Sequence, residues 1–143
     1  MIDQAHNQPA ASVIDDAAIH RLVRVFYARV RKDPDLGPIF EAAIGDHWDA
    51  HLDRMTDFWS SVMLASGRYS GNPMIKHIRQ KAIRPPHFTQ WLALFEDTAR
   101  VLFTPDCAER FNAKAHNIAR SLQLGMFFQP GVVQPNHEPA AAG

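Results

Sequence analysis

The sequence predicts an all-α fold, and three observations carry that expectation. Apolar residues recur at helical spacing through most of the chain, no alternating stretch is long enough for a useful strand, and proline or aspartate stands where most of the helices would begin. At 143 residues the chain suffices for one domain around a single core. It is 46% apolar and 21% charged, the balance of an ordinary soluble globular protein.

The elements follow in order. Ile19, Leu22, Val23, Phe26 and Val30 fall at i, i+3, i+4, i+7 and i+11, one apolar stripe along a first helix. Asp15 or Asp16 can cap its start, and Asp33-Pro34 ends it, because the residue before proline is pushed out of the helical region. Leu36-Gly37-Pro38-Ile39-Phe40 reads as a turn carrying an apolar anchor. A second helix is expected from about Asp46 to Ala65, with Trp48, Leu52, Met55, Phe58, Trp59 and Val62 on one side and Gly67 beyond its end. Asn72-Pro73 is an N-cap followed by proline at the first helical position, so a short helix should carry His77. Pro85-Pro86 opens a helix on which Phe88, Trp91, Leu92, Phe95, Ala99 and Leu102 share a face. Pro105-Asp106 opens the last, with Phe111, Ile118, Leu122 and Met126 as its core stripe. The expectation is four long helices, one short helix and two loops. Residues 1–14 and 129–143 are polar and proline- and alanine-containing, and read as flexible tails around a domain over 15–128.

Composition excludes several functions. Lys+Arg and Asp+Glu both number 15, so the chain lacks the basic surplus that nucleic acid demands. Cys107 is the single cysteine, which rules out an intramolecular disulfide and any Cys-based zinc or iron–sulfur site. No stretch approaches the roughly 18 apolar residues of a membrane span, and the polar N-terminus lacks the apolar run of a signal peptide. A cytoplasmic monomer is expected, with no membrane partner.

Eight histidines and nine phenylalanines are unusual for this length. His47 and His51 stand four apart on the expected second helix, the spacing of helical zinc sites. Trp48, however, occupies the place where the zincin motif needs a glutamate base. His47 is therefore read as a solvated first-turn residue. His51 lies beside the stripe of Leu52, Met55, Phe58 and Trp59, either as a half-exposed amphipathic residue or as a pocket residue. Tyr27 follows Phe26 on the first stripe; its ring could pack at a core edge with the hydroxyl in water, or its hydroxyl could donate into a cavity. Trp91, with one N–H donor and no acceptor, presents the same choice.

Considered jointly, Tyr27, His51, His77 and Trp91 would place four polar tips on or beside apolar stripes. Burying such groups without partners costs on the order of 1–3 kcal/mol each, and a shared polar ligand would satisfy several together.

These stretches resemble the truncated haemoglobins, and most closely group III of that family. The resemblance is carried by Phe26-Tyr27-Ala28-Arg29-Val30, by Asp35-Leu36-Gly37-Pro38-Ile39-Phe40, and by His51 through Phe58-Trp59. It continues in Tyr69-Ser70-Gly71-Asn72-Pro73, His77 and His87-Phe88-Thr89-Gln90-Trp91-Leu92, spanning about residues 16–128. Order and spacing give the match its specificity, together with the absence of the glycine pairs of other truncated globins and a histidine early in the second long helix.

The resemblance implies a two-over-two helical sandwich around haem b. By position, His77 would be the proximal ligand of the iron. Tyr27 and Trp91 would be distal donors, and His51 the distal histidine, bonding the ligand, gating its entry or binding the iron itself. Phe40 would pack on the porphyrin face, Met55 and Phe58 would line the distal side, and Met74 and Phe88 would complete the wall. Lys76 or Arg79 could pair with a propionate. The implied ligands are dioxygen and other diatomic molecules.

Donors such as a phenol and an indole stabilise negative charge gathering on a bound diatomic ligand, each by roughly 1–3 kcal/mol. Two of them would slow release by one or more orders of magnitude, since about 1.4 kcal/mol is tenfold. Such a pocket suits ligand retention, nitric-oxide dioxygenation or peroxide chemistry better than oxygen delivery. Turnover would need an external reductase, because the sequence shows no reductase domain or flavin motif. The alternatives are a haem-based redox or gas sensor acting through a partner, and a cofactor-free helical interaction domain.

Overall fold

The computed structural model describes residues 9–69 and 83–127, and its first helix, α1, spans Asp16–Lys32. Asp15 is the N-cap, its carboxylate accepting from the Ala18 N–H at 2.9 Å. The predicted stripe is buried as a unit: Ile19, Leu22, Val23, Phe26 and Val30 are each at most 2% exposed. Arg29, Arg31 and Lys32 occupy the last turn, where cations favour the helix dipole.

The expected turn at 36–40 is instead the start of a second helix, α2, spanning Leu36–Ile44. Proline and glycine there read as turn punctuation, but Pro38 sits in the first helical turn, where a missing N–H costs nothing. The start is secured by Asp33, whose Oδ1 accepts from the N–H groups of both Asp35 and Leu36 at 2.8 Å. Gly37 is required by contact. A Cβ there would lie 2.7 Å from the Arg31 carbonyl oxygen, a backbone atom that cannot step aside. Gly37→Ala is therefore expected to lower stability by about 1–3 kcal/mol, although alanine is ordinarily the better helix former. Chemical denaturation checks this, and a stability equal to or above the parent would contradict the close approach.

Helix α3 spans Trp48–Leu64, beginning two residues later than expected and closed by Ala65 in the left-handed region at φ 55. Helix α4 spans Pro85–Leu102 and α5 spans Pro105–Phe127. The prolines open both as predicted. The His87 imidazole adds a cap to α4, Nδ1 accepting from the Arg84 N–H at 2.9 Å. The expected short helix with His77 lies outside the described residues, as do residues 129–143.

Packing joins the helices as two pairs. Helix α1 lies on α3, α4 lies on α5, and α1 also contacts α4 and ties the pairs together. Phe95 sits at the junction, stacked on Trp59 at 4.9 Å and on Trp91 at 5.5 Å, with Phe26 edge-on at 5.2 Å. Arg29 bolts α1 to α4, donating to Thr98 at 2.7 Å and to Asp97 at 2.8 Å. Among the described residues no strand forms beyond one isolated parallel bridge, Ala11 with Phe103. That bridge narrows the tail expected over 1–14. Ala11 donates to the Leu102 carbonyl and accepts from the Thr104 N–H, and Ile14 is buried in the core.

Candidate functional site

A cavity of about 370 Å³ opens between the two helix pairs. One wall comes from α1, α2 and α3 and belongs to the main core; the other comes from α4 and α5, around the smaller cluster of Phe88, Ala119 and Leu122. Trp91 and Ile118 pack against both clusters. The cavity thus parts the core where a continuous apolar filling would be expected.

The structure brings together the predicted residues that it describes. Tyr27 from α1, His51 from α3 and Trp91 from α4 face the cavity. Phe40, Met55, Phe58 and Phe88 line it as well. His77, Met74, Lys76 and Arg79 lie outside the described residues. Tyr69 and Ile83, the described residues on either side of 70–82, both line the cavity.

Helical periodicity explains the convergence. Tyr27 and Phe26 are neighbours on α1, yet Phe26 faces the core while Tyr27 turns toward α2 and α3. Its ring meets His51 edge-on at 4.9 Å and Phe40 at 5.9 Å. His51 is half-buried, whereas His47, one turn earlier, is the exposed N-cap residue of α3 and pairs with Asp46. Burial pushes the Tyr27 phenol well above its ordinary range, and hydrogen bonding from Trp91 only partly offsets the rise. Trp91 has one N–H and no acceptor, so in hydrogen bonding between the two the indole donates and the phenol oxygen accepts.

Several lining residues were not singled out from sequence. Leu36 and Ile39 escaped because 36–40 read as a turn, and Ile44 fell in the unassigned stretch after it, although 36, 39, 40, 43 and 44 are at helical spacing. Ile118 was assigned to the core stripe alone, as was Leu122. Arg54 is the one permanent charge among the described lining residues, and no acid lines the cavity there. It acts on Tyr69, whose hydroxyl is raised by burial and lowered in smaller part by that cation. Nothing in the apolar pattern marks Arg54, because an exposed arginine on a helix is ordinary.

The donor set fits haem. The walls are mainly aliphatic and aromatic, as a flat apolar cofactor needs, and the few polar side chains that converge are phenol, indole, imidazole and one guanidinium. The latter suits a carboxylate at the cofactor's edge.

Comparison with known proteins gives the same answer. The family model for bacterial-like globins matches residues 13–121. The group 3 truncated haemoglobin of Campylobacter jejuni is 34% identical over 113 residues, which cover 77% of this chain and 89% of that protein. The crystal structure of group III truncated haemoglobin from Campylobacter jejuni aligns with a TM-score of 0.80 at 32% identity, covering 84% of this chain and 97% of the other. The paired helices, the cavity between them and these matches lead to one assignment: the chain belongs to the bacterial-like globins, among the truncated haemoglobins and resembling group III, a family whose cofactor is haem.

Proposed function

We propose that this chain holds haem b through His77 and retains dioxygen and other diatomic ligands against Tyr27, His51 and Trp91. The observation that carries the reading is the convergence of the buried Tyr27 side chain with His51 and Trp91 on one mainly apolar cavity wall. When bound, haem supplies an iron that takes small diatomic ligands. Everything else is done by side chains. Tyr27 donates to the ligand, Trp91 holds the phenol in place, and His51 stands beside both at the cavity wall. Phe40, Met55, Phe58 and Phe88 exclude water, which strengthens each hydrogen bond inside. Met74 would extend that wall, and Arg54 would pair with a haem carboxylate.

Because burial raises Tyr27, the phenol keeps its proton below its shifted value. Its donor role therefore holds throughout about pH 6–9, a range already below the ordinary tyrosine value near 10. Rapid mixing of the oxygenated ferrous protein with carbon monoxide tests the reading. Release should be slowed by one or more orders of magnitude relative to a Tyr27→Phe/Trp91→Phe double variant, with little change across that pH range. Release as fast as in the double variant would contradict retention. Turnover of nitric oxide or peroxide is the catalytic extension and requires a separate reductase. If the reduced protein consumes nitric oxide no faster than free haem, that extension fails. We place the protein in the cytoplasm as a monomer.

A further inference from the structure

Trp48 does not line the cavity, yet it touches two residues that do. It is the first residue of α3 and is only 7% exposed. Its ring meets His51 edge-on at 5.7 Å and Tyr27 at 6.1 Å. Two further contacts hold that ring, and a third ties their partners together. The indole N–H donates to Glu41 Oε1 at 3.1 Å, Arg31 Nε donates to Glu41 Oε2 at 2.8 Å, and the Arg31 guanidinium lies 4.4 Å from the centre of the Trp48 ring. The three residues form a closed triangle in which every pair touches, and they come from α1, α2 and α3 respectively.

The direction of helical side chains gives the triangle a consequence. Side chains slant toward the helix N-terminus, so the His51 imidazole leans back over the first turn of α3, where Trp48 stands. Tyr27 closes the inner side at 4.9 Å. The position of the Trp48 ring therefore decides how far His51 can turn.

The geometry points to Arg31, Glu41 and Trp48 as a latch that sets the orientation of His51 and, through it, ligand entry to the cavity. The latch rests on His51 being a distal residue. Arg31 and Glu41 are positioning residues: neither is among the residues lining the cavity, and both act through Trp48. Their side chains are 46% and 43% exposed, and ion pairs so exposed contribute little to stability. Placement of a buried indole is the larger effect, because its N–H needs an acceptor.

Glu41→Ala removes the acceptor, freeing Trp48 to turn its N–H toward water and withdraw from His51. Glu41→Gln keeps an oxygen for the indole. In the haem-loaded protein, Glu41→Ala should raise the carbon monoxide association rate after flash photolysis by about two- to tenfold, the factor one ordinary hydrogen bond sets. The infrared carbon monoxide stretch should shift intensity toward the band with no donor contact, and Glu41→Gln should restore rate and bands toward the parent. Introduced into a His51→Ala background, Glu41→Ala should change neither. An unchanged rate and band ratio in Glu41→Ala, or an equal effect with and without His51, would overturn the latch. A protein that takes up no haem gives no carbon monoxide complex, which sinks the functional reading by itself. The latch is then read from the His51 ring resonances of the haem-free protein, which Glu41→Ala should move and Glu41→Gln should not; unmoved resonances would overturn it.

Discussion

Replacing Tyr27 with phenylalanine is expected to speed dioxygen release from the haem-loaded ferrous protein by about ten- to a hundredfold. The substitution removes one oxygen atom from a side chain that is 5% exposed and leaves the ring contacts with Phe26, Phe40 and His51 in place. Shape is conserved, so the change reads hydrogen bonding. The loss is compound. The ligand loses the phenol's hydrogen, and the Trp91 N–H loses the oxygen that it approaches. A freed indole can turn to the ligand and recover part of the stabilisation, which is why the double variant with Trp91→Phe should release dioxygen faster still. Non-additivity of this kind is the signature of two donors in one network. An unchanged release rate in Tyr27→Phe would remove Tyr27 from the ligand's surroundings.

Replacing His77 with alanine should weaken haem retention by on the order of a hundredfold or more, because groups that merely orient a metal ligand already cost about 10–100-fold when lost. His77 lies outside the described residues, and its assignment rests on the family resemblance. Tyr69 and Ile83 stand on either side of the stretch that contains it, and both are on the cavity wall. Added imidazole should restore a haem spectrum to the alanine variant, since it resupplies the nitrogen without the chain. His116, which pairs with Glu96 on the outside of α4 and α5, is the control. His116→Ala should leave haem binding as it is. Equal retention in both variants would take His77 out of the iron's coordination.

Three of the long helices were legible from two kinds of evidence, an apolar stripe at helical spacing and an Asp15 cap or an opening proline at 85 or 105, whereas α3 had the stripe without such a start signal and its start was read two residues early. Helix α2 was not, because its start is written in the residues that usually end structure. Asp33 closes α1 and opens α2 at once, accepting two N–H groups of the next helix, and Pro38 sits where proline is harmless. Local propensity cannot separate those two uses of the same residues. For the cavity, Tyr27, His51 and Trp91 could be gathered from sequence since each is a polar tip beside an apolar stripe. Ile118 and Leu122 could not be told from core, because a cavity wall and a core face share one pattern. Trp48, Glu41 and Arg31 were invisible together: they stand ten and seven residues apart on three different helices, and only the α1–α2–α3 corner makes them neighbours.

Titration of haem into the haem-free protein, followed in the Soret region, bears most directly on the central claim. The cavity and its donors predict saturation at one haem per chain, a ferrous spectrum that changes on adding carbon monoxide or dioxygen, and a sharply weakened endpoint in His77→Ala. Failure of the parent protein to develop a Soret band beyond that of free haem would contradict haem binding at this cavity.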